Sequence, residues 1–243
     1  MTEILEQIFN FLNENRKYNF ELQNRFYLAT LSAYTEPKDK LISLLYGTAN
    51  TQSQPKIDKL ANFYKKIHED EICLKSMEAF IEMLLPKNPN NFDSLYRGMN
   101  IQDGWGKKTA ALFTKNIFHL HNGEYSDNLK IWDDVPNKIA EEDSFYLPVD
   151  AVIIAIFNKL NNSNWNFDRI NKTLRNLYYG QEIEIWDDLW FWGFITQNGT
   201  GNDRKFEWNE NKYWILNETD KDPKMIAEIK KKSTEFLTII NEK

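Results

Sequence analysis

A short segment combines a tight turn with concentrated positive charge, since residues 104–108 read Gly-Trp-Gly-Lys-Lys. Glycine takes positive φ without steric cost, so Gly104 and Gly106 predict a tight turn. The apolar spacing that follows predicts a helix from about Lys107 to His121. Backbone N–H groups at a turn and at a helix start attract anions, and the adjacent lysines add positive charge. The segment is therefore suited to a DNA phosphate, while a plain turn before a solvated helix start explains the same residues equally well.

A second polar residue, Asp150, precedes the apolar run of residues 151–157. Pro148 stiffens the approach to this run, and Asp150 stands where a side chain caps the first turn of a helix. Capping aspartates are common, so this residue by itself predicts only a helix start. A Gly-x-Gly turn, a lysine at the next helix start and a later Pro-Val-Asp form a combination that is far less common.

The combination resembles the signature of the helix-hairpin-helix superfamily of DNA glycosylases. The matching residues are Gly104, Gly106, Lys108, Thr109, Ala110, Pro148, Val149 and Asp150. In the 8-oxoguanine glycosylases of this superfamily, the lysine is the nucleophile and the aspartate is its catalytic partner. The resemblance thus implies that Lys108 and Asp150 are catalytic. It also implies that the hairpin binds DNA through Gly104, Gly106 and Lys107.

The chemistry implied for Lys108 suits its residue type. A neutral lysine amine can attack the sugar C1′ as a damaged base leaves, which gives a Schiff base and permits β-elimination of the strand. The ordinary pKa of a lysine is about 10.4, so burial or a neighbouring cation such as Lys107 must favour the neutral amine. A carboxylate at Asp150 would stabilise the cationic sugar and help to move protons, a role worth roughly 10² to 10⁴ in rate.

The aromatic segment 185–199 has the composition of a pocket for a flipped base, because tryptophans stand beside two aspartates. An aromatic core helix is the competing interpretation, since most buried tryptophans only pack. The segment is also similar to the C-terminal part of the archaeal 8-oxoguanine glycosylases called the AGOG type. That similarity implies that Asp188 and Trp192 line the base pocket. It also assigns Lys115 to the site and makes Gln23 the counterpart of a glutamine that reads the base.

Two departures from the AGOG pattern are visible in the sequence. That type has an aromatic residue that sandwiches the base four positions after its nucleophile, whereas this chain has Leu112 there, with Phe113 adjacent. The separation between Lys108 and Asp150 is also longer than in the familiar members. The intervening acidic stretch from Glu124 either covers the site or loops away from it.

The net charge of −6 is concentrated in one segment of the 243 residues. Residues 124–150 hold eight acids and two lysines, so the remainder carries as many acids as bases and can still present a basic patch to DNA.

No apolar run approaches the roughly 20 residues of a membrane span, and the start of the chain does not resemble a secretory signal. The single cysteine, Cys73, excludes a cysteine-ligated cluster. We expect an intracellular, cytoplasmic protein without metal or cofactor.

Helical spacing of apolar residues recurs along nearly the whole chain and predicts a mainly helical, all-α fold. The strand-like segment is 206–216, where two aromatic-rich pieces flank Asn-Glu-Asn and predict a small β-hairpin. Together with the resemblance, this predicts a two-lobed helix-hairpin-helix glycosylase fold. We expect residues of about 70–160 to form the hairpin lobe, and residues of about 1–69 and 161–243 to form a second helical lobe that completes the base pocket.

The leading hypothesis is a bifunctional DNA glycosylase and lyase that acts as a monomer on double-stranded DNA and excises 8-oxoguanine. The main alternative is a helix-hairpin-helix module that binds DNA or a protein without catalysis. A monofunctional glycosylase for alkylated bases is a third interpretation, in which the lysine is incidental. A binding module has no need for both Lys108 and Asp150, and the alkyl-base enzyme needs only the aspartate, so the presence of both favours the bifunctional enzyme.

Overall fold

The fold is mainly helical, which confirms the predicted all-α class. The computed structural model describes residues 1–216 and 219–241. Their α-helices are α1 (Thr2–Glu14), α2 (Arg16–Leu31), α3 (Pro37–Ala49), α4 (Ile57–Glu69), α5 (Met77–Leu84), α6 (Phe92–Asn100), α7 (Lys107–Asn122), α8 (Ala151–Leu160), α9 (Phe167–Arg175), α10 (Gln181–Ile185), α11 (Asp188–Ile195), α12 (Glu210–Ile215) and α13 (Pro223–Asn241). The other regular elements of these residues are two short strands, β1 (Gln197–Asn198) and β2 (Lys205–Phe206), and three short 3-10 helices at Glu71–Leu74, Asp127–Leu129 and Gly201–Asp203.

The small β-hairpin lies earlier in the chain than the predicted segment 206–216. Strand β1 pairs antiparallel with β2, with Gln197 opposite Phe206. The residues after Phe206 form helix α12 instead of a second strand, because Asn209 caps it by accepting a hydrogen bond from the Lys212 N–H at 3.0 Å. Asparagine is among the best N-capping residues, and this cap overrides the aromatic, strand-like composition.

The chain divides into two units, and each consists of more than one segment. The terminal unit contains residues 1–25, 149–177 and 185–243, and the hairpin unit contains residues 26–148 and 178–184. The hairpin unit therefore begins well before the expected boundary near residue 70, and it ends before Asp150 and not near residue 160. Lys108 belongs to the hairpin unit, whereas Asp150 belongs to the terminal unit.

Close packing of α5, α6 and α7 forms the core of the hairpin unit. Leu95 of α6 and Phe113 and Ile117 of α7 are all fully buried, as the 3.6-residue periodicity of these helices requires. Gly98 allows α6 to approach α5 closely, because a Cβ at this position would lie 2.9 Å from Cβ of Leu84. This packing fixes the helices on both sides of the Gly-x-Gly turn.

The acidic stretch that follows α7 is packed against the hairpin unit through its apolar residues. Its buried members include Leu129, Ile131, Trp132, Val135, Ile139, Phe145 and Leu147. Lys40 of α3 anchors the stretch, since its Nζ donates to the backbone carbonyls of Asn128 at 2.6 Å and Lys130 at 3.2 Å. The stretch is thus part of the core of this unit and does not loop away from it.

Two acids of this stretch complete helix starts in the same unit. The Asp134 carboxylate accepts the N–H groups of Met77 and Glu78 at the start of α5, both at 2.8 Å. The Asp143 carboxylate accepts those of Phe92 at 2.9 Å and Asp93 at 2.7 Å at the start of α6. A carboxylate at a helix N-terminus satisfies N–H groups that have no partner within the helix and interacts favourably with the helix dipole. Part of the concentrated negative charge therefore has a structural role.

The terminal unit is built around the contact between α8 and α11. Gly193 of α11 permits this contact, because a Cβ there would lie 2.6 Å from Cδ1 of Ile156 and 2.7 Å from Cγ1 of Val152. Helices α1 and α13 pack against each other in the same unit, and Leu12 and Phe236 are fully buried. The α8–α11 contact positions Asp150, which stands directly before α8.

Candidate functional site

The Gly-x-Gly turn joins α6 to α7, as predicted, and its first glycine is required by the fold. Gly104 has φ of 82°, and a Cβ there would lie 2.7 Å from Cγ of Leu60 and 2.8 Å from its backbone nitrogen. The residue between the glycines, Trp105, is buried and packs edge-on against Phe63 and Phe113, with ring centroids 5.3 and 5.9 Å apart. These contacts hold the turn in place.

The second glycine of the turn, Gly106, has no such role among the described residues. Its backbone is extended, with φ of −119° and ψ of 171°, and a Cβ would meet nothing within 4 Å. It is exposed and occupies the N-cap position of α7 without a capping side chain. The first N–H groups of α7 have no acceptor within the helix. This helix start therefore presents backbone donors beside an open approach.

Three predicted lysines lie on α7, at very different depths. Lys107 is exposed, Lys108 is half-buried and Lys115 is 5% exposed. Lys108 and Lys115 are seven residues apart, so they share one side of the helix two turns apart, about 10 Å along its axis. The Lys108 ammonium forms no hydrogen bond or ion pair with any residue that the structure describes, which leaves it available to a ligand.

Asp150 caps α8, as the sequence predicts. Its Oδ1 accepts the N–H groups of Val152 at 2.8 Å and Ile153 at 3.1 Å. Its Oδ2 accepts the indole N–H of Trp190 on α11 at 3.1 Å, a contact that the sequence did not indicate. Donors on both oxygens fix the orientation of the carboxylate within the terminal unit.

Besides Asp150, three predicted residues lie in the terminal unit, and two of them belong to one polar cluster. Gln23 Nε2 donates to Asp187 Oδ2 at 2.8 Å, while Asp188 accepts from Asn19 Nδ2 at 2.6 Å and from Arg16 Nε at 3.3 Å. Both aspartates are buried. The cluster brings Gln23 close to the aspartate pair, whereas Trp192 lies in the neighbouring aromatic core.

Sequence reasoning missed Arg16 and Asn19, although their spacing carries a signal. Arg16, Asn19 and Gln23 are three and four residues apart on α2, which places three polar side chains on one face of the helix. The apolar residues of α2 are spread around its circumference, so hydrophobic periodicity does not reveal this helix.

Trp192 is fully buried in the aromatic core of the terminal unit. Its ring makes edge-to-face contacts with Phe11 and Tyr18, with centroids 5.0 and 5.4 Å apart, and its indole nitrogen has no hydrogen-bond partner among the described residues. This packing of Trp192 is what the interpretation of segment 185–199 as an aromatic core helix predicts. Stacking of a base on Trp192 requires one of the neighbouring rings to move.

A buried polar network in the hairpin unit also involves α7. His119 Nε2 lies 2.6 Å from Glu184 Oε1, and its Nδ1 lies 3.2 Å from the hydroxyl of Tyr27. The Tyr27 hydroxyl also lies 3.0 Å from Asn116 Oδ1. The partners come from three separate segments, which explains why the sequence did not indicate the network. It ties the C-terminal half of α7 to the rest of the unit.

The second histidine of α7, His121, has a structural contact of its own. Its Nε2 accepts the N–H of Ile131 at 3.2 Å. Burial and the nearby positive charge of Lys130 lower the pKa of His121 to about 4, against a smaller opposing effect of Asp134. The neutral imidazole therefore holds the acidic stretch to α7. Within the described part of the chain, no group of three or more His, Cys, Asp or Glu side chains is arranged to hold a metal ion.

The chain was compared with protein-family models, curated proteins and solved structures. No protein-family model, curated protein or solved structure matches this chain. In the described ranges 1–216 and 219–241, none of the helices has both the length and the apolar character needed to cross a membrane.

Proposed function

We propose that this protein is a DNA glycosylase with lyase activity that excises oxidised guanine, most specifically 8-oxoguanine. The observation that carries the proposal is the start of α7, where the exposed Gly106 is not needed for packing and Lys108 follows in the first helical turn. A glycine without a structural role suits close approach by a ligand backbone. Open N–H groups at a helix start suit a phosphate.

In the proposed reaction, Lys108 Nζ forms a bond to the sugar C1′ while the bond from C1′ to the base breaks. The departing base takes up a proton, and opening of the sugar leaves a Schiff base on the lysine. Removal of a C2′ proton then expels the 3′ phosphate, which is the lyase step. The half-buried position of Lys108, without a partner for its ammonium among the described residues, supports this role.

Asp150 is proposed as the carboxylate that stabilises the cationic sugar. Two backbone N–H groups and the Trp190 indole hold its two oxygens, so it requires little reorganisation when charge develops on the sugar. Gln23, Asp188 and Trp192 are proposed to read and stack the flipped base. A bound base would replace hydrogen bonds that Gln23 and Asp188 now make within the terminal unit. Lys108 and Asp150 belong to different units, so the role of each is proposed from the contacts of that residue within its own unit.

The experiment is borohydride trapping on duplex DNA with a single 8-oxoguanine. We expect a covalent adduct with the wild type and with Lys107→Gln, and none with Lys108→Gln, because only Lys108 supplies the attacking amine. Lys107→Gln is the matched control, since it removes an adjacent positive charge from the same turn. Base release without any adduct would indicate the monofunctional enzyme instead.

A second variant tests the carboxylate. Asp150→Asn should bind lesion DNA but turn over roughly 10² to 10⁴ times more slowly. Asparagine caps a helix about as well as aspartate, so α8 should still form. Unchanged turnover by a correctly folded variant would remove Asp150 from the mechanism.

The alternative of a binding module without catalysis is favoured by the packing of the terminal unit. Helix capping accounts for Asp150, and core contacts account for Asp188 and Trp192, without any reaction. Such a module would bind DNA through the same turn. Absence of both base release and trapping on a panel of lesions, with DNA binding retained, would establish it.

A further inference from the structure

A recess lies beside the Gly-x-Gly turn, wholly within the hairpin unit. It has a volume of about 360 Å³ and opens between the start of α4 and the turn. Among the residues that line it are Gln52, Gln54, Lys56, Lys59, Trp105 and Gly106. A volume of this size is at the lower end for small-molecule sites and accommodates one nucleotide.

Two unpartnered cations line this recess. Lys56 stands directly before α4 and Lys59 lies in its first turn, and both are exposed and line the recess. Neither ammonium has a hydrogen bond or ion pair with a residue in the described part of the chain. By contrast, Lys65 of the same helix lies 3.8 Å from Glu69, and Lys66 Nζ donates to the side-chain oxygen of Gln102 at 3.1 Å.

The walls of the recess are held in place, and one of them carries a further hydrogen-bonding group. Gln52 Nε2 donates to the Gly104 carbonyl at 3.3 Å, which connects the segment before α4 to the turn. Trp105 is 6% exposed, and its indole nitrogen is buried within the unit, away from solvent. Gln54 is exposed and carries an amide that can both donate and accept. The recess thus combines two cations with neutral hydrogen-bonding groups.

One acid moderates this charge. Asp103 also lines the recess, and its carboxylate accepts from Asn62 Nδ2 at 3.5 Å. Two lysines against one aspartate leave the recess net positive. An anion with polar groups attached to it is the ligand that this lining fits best.

We propose that the recess binds one nucleotide of a DNA strand, with its phosphate on Lys56 and Lys59 and its sugar or base edge on Gln54. The inference rests on the proposed function, because it takes DNA as the ligand of the turn. Gly104 and Gly106 line the recess and also form the turn, so one strand can contact both anion sites. The subsite extends the DNA contact away from Lys108, onto the start of α4.

The test is the salt dependence of binding to a short, undamaged, fluorescently labelled duplex. Each phosphate contact contributes about 0.9 to the slope of log affinity against log salt concentration. Because both lysines hold the same phosphate, the double variant Lys56→Gln/Lys59→Gln should bind more weakly and show a slope smaller by about 0.9. The matched control is Lys65→Gln/Lys75→Gln, which removes two exposed lysines of the same unit that do not line the recess; its slope should remain that of the wild type.

Several outcomes would overturn the proposal. An equal change of slope in the recess variant and in the control would mean that the recess contributes only general charge. Lysine-dependent binding of a free deoxynucleoside monophosphate, with the duplex slope unchanged, would assign the recess to a small nucleotide instead of a DNA strand. Circular dichroism and thermal unfolding should show the wild-type fold in both double variants.

The proposed function and this subsite can fail separately. Lesion cleavage by the wild type tests the first, and the slope measurement on undamaged DNA tests the second. Cleavage without any effect of the recess lysines would overturn the subsite alone. Lysine-dependent binding without cleavage would overturn the enzyme and leave the subsite as part of a DNA-binding module.

Discussion

Acidification from about pH 8 to about pH 5 should weaken the attachment of the acidic stretch to α7, because His121 has to remain neutral there. Its Nε2 accepts the Ile131 N–H and would lose that bond on protonation. The folded-state pKa of His121 is about 4, against an ordinary value of 6.5. The unfolded chain therefore takes up a proton over this interval, while the folded chain does not.

The sign and size of the effect follow from this difference in pKa. A base with a lowered folded-state pKa contributes its full stability above its unfolded pKa, and that stability falls as the pH drops towards the folded pKa. For values of about 4 and 6.5, the free energy of unfolding should fall by about 2 kcal/mol at pH 5, and the total loss should level off near 3 kcal/mol below pH 4.

The assay is urea unfolding followed by tryptophan fluorescence at both pH values, for the wild type and His121→Gln. The glutamine oxygen can accept the Ile131 N–H but does not titrate, so the variant should lose about 2 kcal/mol less than the wild type on acidification. His68→Gln is the control, since His68 is exposed, and it should follow the wild type. Equal losses for wild type and His121→Gln would show that protonation of His121 does not cause the loss of stability.

Two further predictions concern the turn and the single cysteine. Gly104→Ala should destabilise the protein by roughly 2–4 kcal/mol in thermal or urea unfolding, because alanine is strained at positive φ and its Cβ would collide with Leu60. Gly106→Ser should leave stability within about 0.5 kcal/mol, since serine caps helices well, yet weaken DNA binding roughly tenfold, a loss of about 1.4 kcal/mol. Unchanged affinity would mean that no ligand backbone approaches Gly106. Cys73 is buried and its pKa is raised to about 11, so it should react with a thiol reagent only after unfolding. Rapid labelling of the native protein would contradict its burial.

Short-range patterns in the sequence were sufficient to predict the helical class and several local features. Three such features are the helix from Lys107, the Gly-x-Gly turn before it and the cap at Asp150. Each depends on contacts between residues that are no more than four positions apart. Periodicity, positive φ and capping operate over that distance, so they can be recognised without the fold. The same kind of signal explains the error at segment 206–216, where a short-range cap at Asn209 outweighed aromatic composition.

The roles of the acids depended on contacts between distant parts of the chain. Asp134 and Asp143 cap α5 and α6 from more than forty residues away, and Asp188 receives donors from α2 across more than 160 residues. A carboxylate in the sequence gives no indication of which N–H or amide group will face it. Only the packing of the helices decided that the acidic stretch stabilises the hairpin unit.

The candidate site likewise has features that local sequence predicts and features that depend on tertiary contacts. The order of residues along the chain was enough to predict that a turn with two glycines precedes a lysine-bearing helix, because both features depend on local geometry. Only the tertiary structure distinguished Gly104, which Leu60 requires to be glycine, from Gly106, which no described neighbour constrains. The need for a glycine depends on what a Cβ would touch, and Leu60 reaches the turn from another helix.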